Sequence, residues 1–275
     1  MASLIYNISM IITNFDRWNG YQFGNKLLGV NNLLQISHFY KQDYYFNYFN
    51  GLELFDINTE TKKYNAEPYE ILNLTDLFNK KNEDLVLDNN IIYYLEPCLF
   101  EFFHKYDSIS TFDIFKLKET IFSDKKSIGV HFRGTDFNLW DQKSILPFDY
   151  YKNSIDFIIN DIDGDFEFIL FSDDYSLDSY IKTVNYLTEL NINYKLGTIG
   201  NFKEDFILMS SCDYIVSTPS TFCIVASICG KKNKKIIQNK DWVIEYKGES
   251  DYFRDIFWKN VGRDDNNNYK IYKLI

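Results

Sequence analysis

One short segment of the sequence combines an imidazole, a guanidinium and a carboxylate. His131, Arg133 and Asp136 occur in the run VHFRGTD, whose first residues continue an apolar stretch. If that stretch is a strand, His131 and Arg133 point to the same face, because side chains alternate along a strand. A guanidinium offers a planar fork of donors that suits a diphosphate, and Asp136 is placed to orient it. A strand-end arginine that pairs with the aspartate only for stability explains the spacing equally well.

A second polar segment leads from an apolar stretch directly into a predicted helix. In the run STPSTF, the N–H groups of Ser220, Thr221 and Phe222 lie at the predicted N-terminus of that helix. The helix dipole and the unpaired N–H groups favour an anion there. An ordinary N-cap by a serine or threonine is the alternative explanation. Together with Arg133 at a neighbouring strand end, the segment predicts a diphosphate site.

Other candidate residues are carboxylates and thiols. Asp173 and Asp174 follow the apolar run FEFILF, and Asp205 opens a predicted helix. Paired carboxylates at a strand end are possible metal ligands, but no third ligand type accompanies them. The four cysteines form no C-x-x-C pair and no Cys/His cluster, and they lie in apolar stretches typical of buried, reduced thiols. The sequence therefore predicts neither a metal nor a resident cofactor.

The elements that must position these residues follow a regular pattern after about residue 125. Short apolar runs alternate with helical patterns, which is typical of βαβ units and a parallel sheet. Predicted strands span 127–132, 166–171, 193–196, 214–217 and, as the final strand, 235–238; predicted helices span 150–160, 177–190, 205–212 and 221–229. Because ligands bind at the carboxyl ends of such strands, we expect the polar clusters to converge on one edge of the sheet.

The first part of the chain is less regular. Residues 4–13 are typical of a strand, residues 26–40 of a helix, and residues 99–106 of part of a second helix. The aromatic and Asn-rich stretch 44–65 gives no clear pattern, and the Asn-rich segment 264–268 predicts a polar turn. The change in texture divides the chain into an N-terminal domain, residues 1–125, and a C-terminal domain, residues 126–275.

The overall composition bounds the class of protein. The chain has 275 residues, of which 45% are hydrophobic and 25% are charged, as in ordinary folded globular proteins. A formal net charge of −10 argues against a nucleic-acid partner, which usually requires a basic surplus. No apolar run reaches the ~20 residues of a membrane span, and the N-terminus lacks the pattern of a signal peptide. We therefore expect a soluble, cytoplasmic protein with no transmembrane segment.

Four segments resemble, in order, the motifs of the α1,2-, α1,6- and protein O-fucosyltransferase superfamily. The run HFRGTD, residues 131–136, resembles its His-x-Arg-Arg-x-Asp motif. The run DFILMSSCDYIVSTPSTF, residues 205–222, is similar to a later motif and is closest in wording to the α1,2 branch. FSDD at 171–174 is similar to the acidic strand end between them, and GYQFGNKL at 20–27 resembles the Gly-x-x-Gly-Asn loop before the first helix.

The resemblance implies an α/β fold of the GT-B type, with two Rossmann-like domains and an active site in the cleft between them. The N-terminal domain is then the acceptor side. The C-terminal domain binds the nucleotide sugar, and a last helix is expected to pack back on the N-terminal domain. The implied activity is inverting, metal-independent transfer of L-fucose from GDP-fucose to a hydroxyl of a glycan acceptor, with an α1,2 linkage in the closest branch.

The resemblance also implies roles for single residues. The implied donor-binding set is Gly24, Asn25, His131, Arg133, Asp173, Asp205, Ser220, Thr221 and Phe222. The implied catalytic set is Arg133, Asp136 and Asp141. Arg133 would neutralise the β-phosphate of the leaving group, His131 and Asp205 would recognise guanine or ribose, and Asp141 is a candidate base. An exposed loop acid is the alternative explanation of Asp141, and Glu53 and Asp16 are weaker candidates.

The sequence departs from the family pattern in the first motif and in the N-terminal loop, which lacks the usual double glycine. Gly134 stands where the family has a second arginine, so one positive charge is missing, and Lys26 stands where glutamine is common. Two other functions therefore remain open. The first is a glycosyltransferase that uses another nucleotide sugar, and the second is a non-catalytic module that binds a nucleotide or a glycan.

Overall fold

The computed structural model of the chain describes residues 10–13, 22–40, 43–57, 70–72, 92–95, 116–121, 123–135, 145–198, 200–231, 234–239, 261–265 and 269–274. The chain divides into two units, Met1–Lys116 (the N-terminal unit) and Leu117–Ile275 (the C-terminal unit). The predicted helix at 99–106 and the candidate residues Asp16, Asp136 and Asp141 lie outside the described residues.

The N-terminal unit contains a parallel sheet of four strands. These are β1 (Met10–Thr13), β2 (Asp43–Phe46), β3 (Glu70–Leu72) and β4 (Ile92–Leu95), arranged in the order β2-β1-β4-β3. Helix α1 (Phe23–Tyr40) connects β1 to β2. Its buried residues Leu27, Val30 and Leu34 recur at helical spacing, and this face is what the apolar pattern of the sequence predicts. The helix begins three residues earlier than predicted, which places Gly24 and Asn25 in its first turn.

The C-terminal unit contains five parallel strands joined by helices. The strands are β5 (Lys126–Phe132), β6 (Phe166–Ser172), β7 (Tyr194–Leu196), β8 (Tyr214–Ser217) and β9 (Lys235–Asn239), in the order β9-β8-β5-β6-β7. The helices are α2 (Phe148–Asp161), α3 (Asp178–Glu189), α4 (Phe202–Ser210) and α5 (Thr221–Ile228). Every strand and helix predicted for residues 126–238 is confirmed, and the α/β class with it.

The strand order identifies the edge at which a ligand is expected. The chain moves outward from β5 to β6 and β7, then returns to the other side of β5 with β8 and β9. This is the Rossmann strand order. The topological switch point, where the chain changes the direction in which it crosses the sheet, lies between β5 and β8. Ligands of such sheets bind outside the carboxyl ends of the strands at this switch point.

Two antiparallel strands follow the parallel part of the sheet. Strand β10 (Val261–Asp265) pairs with β11 (Tyr269–Leu274), and β11 pairs with β9. The prediction that residues 235–238 form the final strand is therefore wrong. The expected last helix stays a prediction, because residues 240–260 lie outside the described residues. The polar run of β10, VGRDD, has low β propensity, so its strand conformation depends on pairing across the sheet rather than on local pattern.

The core of the C-terminal unit explains why its strands were readable in the sequence. Six consecutive residues of β5, from Ser127 to Phe132, are buried, because helices cover both faces of the sheet. Tyr150 at the start of α2 donates its hydroxyl to the carbonyl oxygens of Ser217 (2.7 Å) and Ile237 (2.9 Å). This contact fixes the carboxyl ends of β8 and β9 relative to α2.

Three cysteines of the C-terminal unit are free thiols in the core. Cys212, Cys223 and Cys229 are buried, as their apolar surroundings predict. Burial raises the pKa of Cys212 and of Cys229 to about 12, so both thiols are protonated at neutral pH and are poor nucleophiles. Within the described residues, no helix has both the length and the apolar character that crossing a membrane requires.

Candidate nucleotide-binding site

A buried hydrogen bond joins the ends of β5 and β8 at the switch point. His131 Nδ1 lies 2.5 Å from the Thr218 hydroxyl, and both residues are buried. Burial, with a smaller contribution from the charge of Arg133, lowers the pKa of His131 to about 3. The imidazole is therefore neutral at physiological pH, so one ring nitrogen donates and the other accepts. A neutral histidine suits hydrogen bonding to a hydroxyl or a base rather than charge neutralisation.

Arg133 is held in place by a carboxylate on the next strand. Its Nη1 lies 2.7 Å from Asp173 Oδ2, and its side chain is only 13% exposed. The same carboxylate accepts the Gly134 N–H (2.8 Å) and the Thr135 hydroxyl (2.7 Å). Asp173 thus fixes three consecutive residues after β5. The spacing in the sequence predicts this orienting role for Asp136, which lies outside the described residues.

The start of α5 provides a second group of donors. Ser220 is the N-cap residue, but its side chain makes no capping hydrogen bond, so the capping explanation of this segment fails for Ser220. The N–H groups of the first turn therefore lack a side-chain acceptor from their own N-cap, which is the arrangement an anion can use. Ser217, Thr218 and Ser220 are buried, whereas Thr221 and Phe222 are partly exposed.

Aromatic rings connect this helix start to its neighbours. The ring of Phe222 stacks on His131 with centroids 6.1 Å apart and an interplanar angle of 27°. On α4, the ring of Phe206 packs against Phe222, with centroids 5.4 Å apart and an interplanar angle of 76°. Phe222 is therefore fixed between β5 and α4, and it orients the first turn of α5.

Asp205 is half-buried at the start of α4 and is not its N-cap, because that position is Asn201. Its Oδ1 accepts the N–H (2.6 Å) and the hydroxyl (2.8 Å) of Thr198, which follows β7. Its second oxygen has no hydrogen bond to any residue that the structure describes. Burial, the main cause, raises the pKa of this carboxyl. One oxygen is thus fixed, and the other remains an acceptor.

Thr198 was not predicted from the sequence as a site residue. The strand-end rule that selected the residues after β5, β6 and β8 applies to β7 as well, and Gly197-Thr198 directly follow it. A Cβ atom on Gly197 would lie 2.7 Å from Asp205 Oδ1 and 2.6 Å from the Phe171 ring. Glycine is needed there because the backbone passes so close to the carboxylate.

Leu177 occupies the space beside Gly134, the position at which the family motif has its second arginine. A Cβ atom on Gly134 would lie 2.8–2.9 Å from the side chain of Leu177, which is buried. The space in which a larger side chain would begin is therefore occupied by leucine. Arg133 provides the charge of this segment without a second guanidinium at position 134.

The candidate residues of the N-terminal unit lie at the start of α1. Gly24 is buried and Asn25 is partly exposed, and Phe23 beside them packs against Phe49 and Phe55 at 6.3 Å each. Their approach to a donor stays a prediction. The carboxylate of Glu53, a weak candidate base, accepts the Tyr48 hydroxyl (2.6 Å) and the Gly51 N–H (3.0 Å).

Among the described residues, no group of three or more histidine, cysteine, aspartate or glutamate side chains is placed to hold a metal ion.

Similarity to known proteins is found at the level of structure. No family model and no curated protein matches the sequence. A crystal structure of the fucosyltransferase POFUT1 in complex with GDP matches with a TM-score of 0.55 and 11% identity, over 80% of this chain and 94% of that one. This chain has the fold of POFUT1. The expected α/β fold is thus confirmed. The arrangement of two domains around an active-site cleft stays a prediction. A structure of an Arabidopsis thaliana FUT1 mutant in complex with GDP matches with a TM-score of 0.49 and 11% identity, over 83% and 70% of the two chains.

Proposed function

We propose that this chain is a glycosyltransferase that moves L-fucose from GDP-fucose to a hydroxyl of a glycan acceptor. The observation that carries the proposal is the pairing of Arg133 with Asp173 beside the joined ends of β5 and β8. A fixed guanidinium and a helix N-terminus at a Rossmann switch point suit the diphosphate of a nucleotide sugar. The fold is shared with POFUT1, whose crystal structure contains GDP, and this supports GDP as the nucleotide.

Donor binding relies on local charge. The chain has a formal net charge of −10, so its overall field opposes an anionic donor. In our proposal, Arg133 and the first-turn N–H groups of α5 contact the diphosphate. Neutral His131 and the open oxygen of Asp205 bind ribose or guanine, and Gly24 and Asn25 approach the donor from the N-terminal unit. These local contacts offset the unfavourable overall field at the donor site.

The proposed reaction is an inverting displacement. A hydroxyl oxygen of the acceptor forms a bond to C1 of fucose while the bond between C1 and the β-phosphate oxygen breaks. The departing GDP gains negative charge, which Arg133 and the α5 N-terminus stabilise in place of a metal ion. The hydroxyl proton passes to a base, for which Asp141 is the first candidate. We also propose an α1,2 linkage, because the sequence of residues 205–222 most resembles the α1,2 branch of the superfamily.

Replacing Arg133 tests the proposal. We expect Arg133→Ala to lower the turnover of GDP-fucose at least 100-fold, because a charge that stabilises the leaving group is lost. Arg133→Lys should recover only part of it, since an ammonium lacks the planar fork. Lys182→Ala is the matched control, because Lys182 is an exposed cation of the same unit and pairs with Asp178 at 2.7 Å. Wild-type turnover by a folded Arg133→Ala protein would sink the assignment.

Gly134 motivates the second candidate function. With Leu177 in the space of a second arginine, the site has one fixed guanidinium in its first motif, which favours a module that binds a nucleotide without turning it over. Incubation of the full chain with GDP-fucose, UDP-galactose or GDP-mannose, with and without glycan acceptors, separates the two. GDP binding with no transfer or hydrolysis of any donor would favour the module. Transfer from a donor other than GDP-fucose would favour a different glycosyltransferase.

A further inference from the structure

An exposed tyrosine follows β6 at the edge where the candidate site lies. Tyr175 is two residues after Asp173, the partner of Arg133, and it is 36% exposed. Its ring packs edge-on against Tyr180 of α3, with centroids 5.2 Å apart and an interplanar angle of 84°. Its hydroxyl has no hydrogen bond to any other residue within the described ranges. The side chain is therefore partly open to solvent and to a ligand.

The turn that presents Tyr175 is fixed on both sides. Before it, Asp173 is bound to residues 133–135. After it, Asp174 Oδ1 accepts the N–H (2.9 Å) and the hydroxyl (2.6 Å) of Ser176. The Ser172 hydroxyl also bonds to the backbone of Asp174. A ring held in this way loses little further conformational freedom when a ligand covers it, which favours binding.

Asp205 lies at the neighbouring strand end, because it is bonded to Thr198, which follows β7, and β7 pairs with β6. Burial is the main cause of the raised pKa of Tyr175, and the Asp205 carboxylate is the second cause. That carboxylate has one oxygen fixed by Thr198 and one oxygen open. An aromatic face and a hydrogen-bond acceptor thus occur together outside the carboxyl ends of β6 and β7.

A nucleobase matches this pair of groups, since it has a π face and a polar edge. Guanine presents an N–H and an amino group side by side, and both can donate to a carboxylate. Uracil presents a single N–H between two carbonyl oxygens, which a carboxylate repels. Purines also offer more surface for stacking than pyrimidines do.

We infer that the Tyr175 ring stacks on the guanine base of the donor and makes the site selective for a purine nucleotide. This inference rests on the proposed function, because it assumes a nucleoside diphosphate whose phosphates lie at Arg133. It adds a specificity-determining residue that none of the sequence motifs contains. The base then lies between the ring of Tyr175 and the open oxygen of Asp205.

Isothermal titration of the full chain with GDP, UDP and inorganic pyrophosphate tests this role. Base–aromatic stacking is worth enough that Tyr175→Ala should weaken GDP binding about tenfold. Tyr175→Phe should bind GDP as the wild type does, because the ring is kept. Pyrophosphate affinity should not change in either variant, since pyrophosphate lacks a base. Tyr194→Ala is the matched control, because Tyr194 is 37% exposed and begins β7, away from this edge.

The outcomes separate this inference from the proposed function. GDP binding by Tyr175→Ala at wild-type strength overturns the stacking role. Equal loss of GDP and pyrophosphate binding overturns it as well, because that result indicates a general disturbance of the loop. If Tyr175→Ala does not fold, Tyr175→Leu replaces it, with circular dichroism as the check. A wild-type chain that binds pyrophosphate and UDP but not GDP contradicts both this inference and GDP as the proposed nucleotide.

Discussion

The two units have the same kind of parallel sheet but differ in what their carboxyl edges hold. In the C-terminal unit, polar contacts join neighbouring strand ends, as between His131 and Thr218 and between Arg133 and Asp173. In the N-terminal unit, the start of α1 is fixed by apolar packing of Phe23. The carboxyl edge of the C-terminal unit therefore has its charged side chains already held in position. Donor recognition should therefore depend on the C-terminal edge.

Removing the charge of Asp173, the partner of Arg133, should have the largest effect on the C-terminal edge. Asp173→Asn keeps the size of the side chain but loses the charge that fixes the guanidinium. We expect GDP-fucose turnover to fall about 100-fold, because a misplaced arginine no longer stabilises the leaving group. Steady-state kinetics with GDP-fucose and a glycan acceptor measures the effect.

Asp178→Asn is the matched control for Asp173→Asn. Asp178 is exposed in the same unit and pairs with Lys182. It should leave turnover within about twofold of wild type, since a surface ion pair contributes little. Normal turnover in folded Asp173→Asn would contradict the view that the C-terminal edge is positioned by this pair.

A smaller effect, on stability rather than on turnover, is expected when a buried residue away from the C-terminal edge is changed. Lys234 is fully buried, and its Nζ donates to the carbonyl oxygens of Ser210 (2.8 Å), the last residue of α4, and Cys229 (2.7 Å), which follows α5. The starts of those helices carry Asp205 and Phe222. Burial lowers the pKa of Lys234 to about 8. Between pH 8 and the ordinary lysine range near 10.5, the unfolded chain therefore binds more protons than the folded one.

This linkage predicts a pH-dependent difference between wild type and Lys234→Met. As the pH rises from 8 to 10, wild type should gain about 2 kcal/mol of unfolding free energy relative to the variant. Urea unfolding at pH 7, 8, 9 and 10 measures it, and the comparison of the two proteins cancels the titration of other groups. A constant difference over this range would show that the pKa of Lys234 is not lowered. GDP affinity at pH 7 should be the same in both folded proteins.

Much of the C-terminal edge could be predicted because it depends on local sequence. Strands covered on both faces appear as continuous apolar runs, and the polar residues that follow them mark their carboxyl ends. This is why Arg133 and Ser220 were selected from the sequence. Helix α1 was predicted from the spacing of its apolar residues alone, within three residues of its start.

The features that were missed depend on contacts between distant parts of the chain. Asp173 meets Arg133 across 40 positions of sequence, so spacing favoured the nearer Asp136. Thr198 acquires its role only because β7 ends beside the start of α4. Strand β10 has a polar sequence and depends on pairing with β11. Such pairings are set by the sheet topology, which local pattern does not contain.

Hydrogen–deuterium exchange of the full chain with and without GDP shows whether the C-terminal edge binds the nucleotide. We expect GDP to slow exchange in peptides covering residues 131–135, 173–175, 198–205 and 218–222, because the nucleotide covers and rigidifies the C-terminal edge. Residues 43–57 of the N-terminal unit should exchange at the same rate in both samples. Protection confined to residues 43–57, or no protection of the C-terminal edge at saturating GDP, would show that the nucleotide does not bind at this edge.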